Sequence, residues 1–308
     1  MDNPTLSIIL TAAKEDRTII KALDNLITSA INFLKNDFEL ITIIPDDETI
    51  NKASEYLNTN FSKIKWQNIR DPYKGKPFAL NLGIKAAKGD YLLLTDGDVY
   101  ITKNSVADLF EKIKDKTVGG VTGRPVSMDQ KSKYWGFISH LLADGAHEKR
   151  LQTMNGKLKR SFFVMSGYLF LMRNIKLEIP ADCLVEDAFI SYSLFNKGYN
   201  LLYQPKAKVY VKYPDNIKDW FNQKARSVGG YSQLWSYNIV KNDTKVRSFS
   251  KELEFFKYPI SYAKDFKEFL WSISLYILRG ILWLKIFWDR EVLKKDFSKT
   301  WVRIESTK

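Results

Sequence analysis

Two carboxylates, Asp96 and Asp98, stand two residues apart directly after the apolar run Tyr91-Leu92-Leu93-Leu94-Thr95. In extended backbone, residues i and i+2 face the same way, so both acids can converge on one point. Hard oxygens in this arrangement suit Mg2+ or Mn2+, which take one or two protein carboxylates and fill their remaining positions from a substrate's phosphates. Gly97 is expected to let the backbone turn tightly between the two. The plainer alternative is a turn rich in Asp and Gly, a common sequel to a strand. Two more apolar runs end in the same fashion, in Lys14-Glu15-Asp16 and in Asp46-Asp47-Glu48.

Strands and helices must bring such acids together. Unbroken apolar runs occur at 6–11, 40–45 and 91–95, with a weaker one at 64–68. Between them, apolar residues at helical spacing predict helices over 18–35, near 50–57 and over 78–87. Runs without alternation are what a sheet covered on both faces requires. Strand and helix in alternation predict an α/β fold, a Rossmann-like, doubly wound and mostly parallel sheet. Ligands of such sheets bind beyond the carboxyl ends of the strands, where these acids lie.

Composition narrows the chemistry. The 308 residues carry 48 Lys and Arg against 35 Asp and Glu, a formal net charge of +13, with 45% hydrophobic residues. That much apolar side chain excludes disorder over most of the length. A single cysteine, Cys183, excludes a disulfide scaffold and any multi-cysteine zinc site. Cys183 has no nearby histidine and reads as a packed thiol; His140 and Asp144, four apart, are two potential metal ligands without a third. Neither G-x-G-x-x-G nor G-x-x-x-x-G-K-[ST] follows a strand, so dinucleotide redox chemistry and P-loop phosphoryl transfer lose support. The start, Met1-Asp2-Asn3-Pro4, lacks a basic n-region, and no secretory signal is expected. The basic surplus points to anionic partners or to a surface of solvated lysines.

The surrounding sequence extends the pattern. Gly75-Lys76-Pro77-Phe78-Ala79-Leu80-Asn81-Leu82-Gly83, a strand and Asp96-Gly97-Asp98 resemble the G-K-x-x-A-L-N-x-G and D-x-D order of family-two glycosyltransferases of the GT-A fold. Ser166-Gly167 through Arg173 is similar to that family's S-G-x-x-x-x-x-R strand, and Glu186-Asp187 to its E-D motif, followed by Gly198-Tyr199. Gln223-Lys224-Ala225-Arg226 resembles the first four positions of Q-x-x-R-W. The likeness runs over residues 5–230. It implies an inverting, metal-dependent transfer of sugar from a nucleotide sugar, with UDP as the expected carrier, to a lipid-linked or cell-surface glycan acceptor. It further implies that Glu15 and either Asp46 or Asp47 meet the nucleotide, that Lys76 meets the diphosphate, and that Asp96 lies at the ribose and metal. Asp98 would be the direct ligand of Mn2+ or Mg2+. Asp187 would be the base, Glu186 would lie near the acceptor, and Gln223 and Arg226 would hold acceptor or phosphate.

Those residue types suit that reaction. Negative charge building on a departing diphosphate is stabilised by a divalent ion and an ammonium. A carboxylate can take the attacking hydroxyl's proton, and Asp187 at a helix start is the candidate. The sequence departs from the family at Ser227, where polymerising members carry the Trp of Q-x-x-R-W; this favours single-sugar transfer over processive polysaccharide synthesis unless Trp220, Tyr231 or Trp235 supplies a ring. Tyr210-Val211-Lys212 provides no histidine where the family often has one, so a third protein ligand for the metal is not expected.

After a catalytic domain at 1–240, the extension 241–308 turns to bulky aromatics and lysine. Its segment 269–288 is long enough to cross a bilayer. Eleven Leu, Ile and Phe favour insertion by about 3–7 kcal/mol, and Arg279 opposes it by about 2.5–3.5 kcal/mol. Glu268, Ser272, Tyr276 and Arg279 form a polar stripe, which predicts a helix lying in the interface with its apolar face down. Lys264, Lys267, Arg290, Lys294 and Lys295 would then sit near anionic headgroups, placing the protein peripherally on the cytoplasmic face of the membrane. A packed helix of a soluble enzyme is the competing reading. From another class, the charge would fit a nucleic-acid-binding protein with a silent α/β domain, but the lysines are dispersed and the strand ends acidic, so no nucleic-acid partner is expected.

Overall fold

A computed structural model describes residues 4–156, 162–241, 256–293 and 305–307. Its centre is an eight-stranded sheet in the order β3-β2-β1-β4-β7-β6-β8-β5. The strands are β1 Leu6–Thr11, β2 Phe38–Ile43, β3 Lys65–Ile69, β4 Tyr91–Asp96, β5 Tyr100–Ile101, β6 Val118–Ser127, β7 Leu169–Arg173 and β8 Asn200–Val211. The helices are α1 Ile19–Leu34, α2 Asp47–Asn60, α3 Lys76–Ala86, α4 Ser105–Ile113, α5 Tyr134–Met154, α6 Glu186–Asn196, α7 Ile217–Ser236, α8 Tyr258–Tyr262 and α9 Phe266–Phe287.

The first four strands in spatial order are all parallel, as the α/β alternation requires. β1 and β2 are buried along their whole length. Leu6, Ile8 and Leu10 pack on one side of the sheet with α1, while Ile9 packs on the other with Leu80 and Ile84 of α3. A helix layer on each face explains why these strands read as unbroken apolar runs. The other half is mixed: β7 runs antiparallel to β4 and β6, β6 is parallel to β8, and β5 is antiparallel to β8.

Register levels one rim of the sheet. Thr11 pairs with Ile43 on one side and with Asp96 on the other, so β1, β2 and β4 end together. Thr95 pairs with Leu169 at the start of the reversed β7, which delivers Ser166, Gly167 and Tyr168 to the same rim.

The polar side of the C-terminal helix is packed against the chain. Ser272 is fully buried and donates to the Pro259 carbonyl at 2.7 Å. Glu268 accepts from the Lys264 N–H at 2.8 Å, and the Tyr276 hydroxyl donates to the Phe256 carbonyl. Glu268, Ser272 and Tyr276 of the expected polar stripe therefore face the chain around α8 instead of water, because those side chains find backbone partners there. Leu275, Leu282 and Ile286 pack with Phe137, Ile138, Leu141 and Trp220 in a third core between α5, α7 and α9. The opposite side, with Phe266, Leu270, Ile277, Ile281, Leu284 and Trp288, is exposed and apolar. Lys294 and Lys295 lie outside the described residues.

Candidate active site

β4 ends at Asp96. The Thr11 hydroxyl, across the parallel ladder, donates to Asp96 Oδ1 at 2.8 Å. The Lys76 ammonium lies 2.7 Å from Asp96 Oδ1 and 2.8 Å from Oδ2, and 3.3 Å from Glu186 Oε1. Lys76 is the first residue of α3; Gly75 before it takes φ 96°, a left-handed turn that a side chain would strain, and Pro77 sits in the first helical turn. Burial would lower the pKa of the Lys76 ammonium, but Asp96, Glu186 and then Asp187 outweigh it and hold it above its usual range. Lys76, Asp96 and Glu186 are all largely shielded, so their attraction exceeds that of a surface ion pair.

Gly97 stands with Asp98 in the turn expected of it and contributes space as well. Its φ is not left-handed. A Cβ there would lie 2.5 Å from Glu15 Oε2 and 2.7 Å from the Ala12 Cβ, so the missing side chain lets the loop after β4 close over the loop after β1. Glu15 beneath it is buried at 7% exposure, with its N–H donating to Thr49 Oγ1 at 3.0 Å. Asp98, half-buried, lies near Tyr100, whose phenol pKa is raised first by burial and then by Asp98 and Glu15.

Asp46 has its oxygens engaged. Oδ1 accepts from the Thr49 N–H at 3.0 Å and from its hydroxyl at 2.6 Å, capping α2; Oδ2 accepts from the Lys14 N–H at 2.7 Å. Burial opposes ionisation, yet these bonds from Thr49 and Lys14 hold its pKa below the ordinary value. Asp47, exposed, pairs with Arg70. Tyr73, which no motif marked, projects at 59% exposure from a left-handed backbone (φ 57°) beside this pair; its pKa is raised by burial and then by the charge of Asp46.

Asp187 sits in the first turn of α6 without capping it; the N-cap position is Val185. It accepts from the Ala188 N–H at 2.7 Å and from the N–H of Gly167. Burial first, then the adjacent Glu186, raises its pKa to about 6 against the pull of Lys76. Tyr168 joins the two acidic groups. Its carbonyl accepts from the Thr95 hydroxyl at 2.8 Å, and its ring meets Tyr213 edge to face at 6.2 Å. Burial raises the pKa of its phenol well above the usual range, followed by the charges of Asp98, Asp96 and Asp187, with Arg226 opposing. The charges of Asp96, Asp98, Asp187 and Arg226 thus all reach one side chain. Sequence reading passed over Tyr168 as a variable position; only its place between Gly167 and a strand hinted at the rim. Gln223 lies one turn before Arg226 on α7.

The other candidates fall away from the cleft. His140 Nε2 meets the Asp129 carbonyl at 2.9 Å, while Asp144 pairs with Arg124 at 3.1 Å and accepts from Tyr262 at 2.7 Å, so the two share no ion. Cys183 is buried, and burial pushes its thiol up to about 12. Trp220, a possible replacement ring for the missing tryptophan, is 3% exposed in the third core and not available to a substrate. Among the described residues, no group of three or more His, Cys, Asp or Glu could hold a metal by itself. The donor set at the rim, Asp98 with Asp96 beside it, fits a hard divalent ion that takes its other ligands from a diphosphate.

A family model described as "Glycosyltransferase like family 2" matches residues 4–230. The poly-beta-1,6-N-acetyl-D-glucosamine synthase of Staphylococcus aureus (strain COL) is 26% identical over 284 residues, covering 89% of this chain and 63% of that protein. The chain therefore spans less than two thirds of that relative's length. Among solved structures, the mannosyltransferase PcManGT from Pyrobaculum calidifontis, in complex with GDP-Man and Mn2+, superposes with a TM-score of 0.59 at 14% identity, covering 98% of this chain and 84% of that one. S. aureus TarS 1–349 in complex with UDP gives 0.51 at 14% identity, covering 83% and 79%. At these identities the two superpositions establish a shared GT-A fold.

Removing the central ammonium tests this geometry directly. Lys76→Met leaves Asp96 and Glu186 facing each other without a counter-charge and should cost about 1–3 kcal/mol of stability. Urea denaturation at neutral pH reads it; an unchanged midpoint would mean that the three side chains do not meet.

Proposed function

This chain belongs to glycosyltransferase-like family 2, and we propose that it moves a single sugar, with inversion, from a UDP-sugar to a hydroxyl of a lipid-linked or cell-surface glycan. It is a glycosyltransferase by family; the donor, the acceptor and the residue roles are the proposal. The observation that carries it is the Lys76 ammonium, within 2.8 Å of Asp96 and 3.3 Å of Glu186, which gathers strand-end acids and helix-start acids into one cleft.

In this reading the loops after β1 and β2, with Glu15, Asp46 and Asp47, frame the nucleotide. Lys76 turns its ammonium to the diphosphate when the donor arrives. A Mn2+ or Mg2+ ion held by Asp98, with Asp96 beside it, would supply positive charge where the leaving diphosphate becomes negative. Asp187 takes the proton of the acceptor hydroxyl as its oxygen bonds to the anomeric carbon and the bond to the diphosphate breaks. A carboxylate with a pKa near 6 is ionised at neutral pH, yet more basic than an ordinary aspartate, as a general base should be. Glu186 borders the acceptor. Gln223 and the bidentate fork of Arg226 hold acceptor or phosphate.

A second reading, processive synthesis, is favoured by the relative named as a polymer synthase. Against it stands Ser227 in place of the family's tryptophan; of the rings that could replace it, Trp220 is buried, whereas Trp235 is exposed. We further read residues 1–240 as the catalytic unit and 241–308 as an extension that attaches peripherally to the cytoplasmic leaflet. The exposed apolar face of α9, with Lys264 and Lys267 exposed at its start, is suited to an anionic surface.

Three measurements bear on these proposals. Mn2+- or Mg2+-dependent release of UDP from a donor should be lost in Asp98→Asn, and sizing the product separates one added sugar from a polymer; undiminished release would refute the assigned ion site. The pH profile of kcat/KM should fall off below about pH 6, where Asp187 gains its proton, and Asp187→Asn should lose about 10²–10⁴-fold in kcat. A profile flat down to pH 4.5 would exclude Asp187 as the base. Finally, vesicles containing phosphatidylglycerol should sediment the protein, and the triple variant Leu270→Glu, Ile277→Glu, Leu284→Glu should stay in solution; equal sedimentation of both would exclude that face.

A further inference from the structure

We propose that Gln233 is a positioning residue for Asp187: its side-chain amide latches α7 onto the segment 182–185 and so fixes where α6 begins. The inference rests on the reading of Asp187 as the base. Gln233 Oε1 accepts from the Leu184 N–H at 3.0 Å, while its Nε2 donates to the Asp182 carbonyl at 2.8 Å and to Asp182 Oδ2 at 3.1 Å. One turn on, the Tyr237 hydroxyl donates to Asp182 Oδ1 at 2.8 Å, and its ring meets Phe189 of α6 edge to face at 5.9 Å.

One turn earlier, α7 touches the same segment through backbone. A Cβ on Gly230 would lie 2.5 Å from Val185 Cγ1 and 3.1 Å from the Leu184 Cβ, so only a glycine permits this approach. Gly230, Gln233 and Tyr237 lie three and four residues apart and present one face of α7 to residues 182–185. That face is needed because α6 has no side-chain cap: Val185 cannot hold the first turn, and the turn carries two carboxylates. Neutral amide bonds from α7 fix the entry of the helix without adding charge beside Glu186 and Asp187.

The latch also fixes how deeply Asp187 is shielded. The groups that bear on Asp187 are Glu186 on its own helix, Lys76 of α3, the Gly167 N–H and Tyr168 at the start of β7, and the Cys183 thiol; Arg226 of α7 bears on Tyr168. Loosening residues 182–185 lets water reach Asp187 and brings it closer to an ordinary aspartate.

Gln233→Met keeps the length of the side chain and removes all three hydrogen bonds. It should lower kcat tenfold or more with the donor KM within twofold of wild type, and should move the acidic limb of the pH profile downward. Gln233→Glu sets a carboxylate against Asp182 and should be as impaired. Adding Asp182→Asn returns an amide to the pair and should recover most of kcat. A Gln233→Met enzyme with wild-type kcat and an unmoved limb would overturn the latch, as would a loss fully explained by a lower fraction of folded protein. Transfer that survives Asp187→Asn would instead overturn the base reading, and the latch with it.

Discussion

An ammonium ion shared by carboxylates from two different elements is the constraint on which this rim depends. Asp96 ends a central strand and Glu186 opens a helix 90 residues later; in a low-dielectric cleft the two would repel each other and spoil the fold around them. Lys76 cancels that repulsion from a third element, whose first residue it is, just after Gly75 turns the chain in a left-handed conformation. Thr11 then holds one Asp96 oxygen from the neighbouring strand. On the proposed reading, donor binding would draw Lys76 partly away from these acids, so the cation would have to be held firmly enough to organise the cleft and loosely enough to be shared.

The acids at the rim divide by how far their oxygens are already committed. Asp46 caps α2 and ties down the loop after β1, and Asp16 pairs with Lys52 of α2 at 2.8 Å. Glu15 is buried under Gly97. These groups shape the walls of the proposed nucleotide site with little accessible oxygen left over. Asp187 differs, because burial and Glu186 raise its pKa where the capping bonds of Asp46 lower that group's. Two aspartates a few ångströms from helix starts are thus pushed in opposite directions, one towards permanent charge and one towards proton exchange near neutrality.

Much of this was legible in the sequence. The parallel half of the sheet follows from unbroken apolar runs, and β1 begins and ends where its run does, because both of its faces are covered. Asp96, Asp98 and Asp187 stand out by their motifs, and the charges of all three reach Tyr168. What could not be read depends on neighbours distant in the chain. Gly97 supplies the expected turn, but nothing local shows that it also makes room for Glu15, 82 residues earlier. The polar stripe of α9 matched a water-facing pattern, yet Ser272 and Tyr276 bond to backbone around α8. The amide of Gln233 looks like any polar residue on a helix until residues 182–185 are set beside it.

The packing of α9 also bears on how the proposed membrane contact would be made. Length and composition allow the helix to cross. Crossing would strip Leu275, Leu282 and Ile286 from the third core, and fully burying such a side chain is worth about 1.5–3 kcal/mol, or about 5–9 kcal/mol for the three. Lipid would repay that for the helix itself, but Phe137, Leu141 and Trp220 would be left facing water, and Ser272 would lose its carbonyl partner in hydrocarbon. Lying flat keeps the core intact and buries only the face that is already exposed. In that posture α7 packs on α9 at its Trp220 end and on residues 182–185 at its Gln233 end. One rigid helix would then span from the proposed membrane contact to the first turn that carries Asp187.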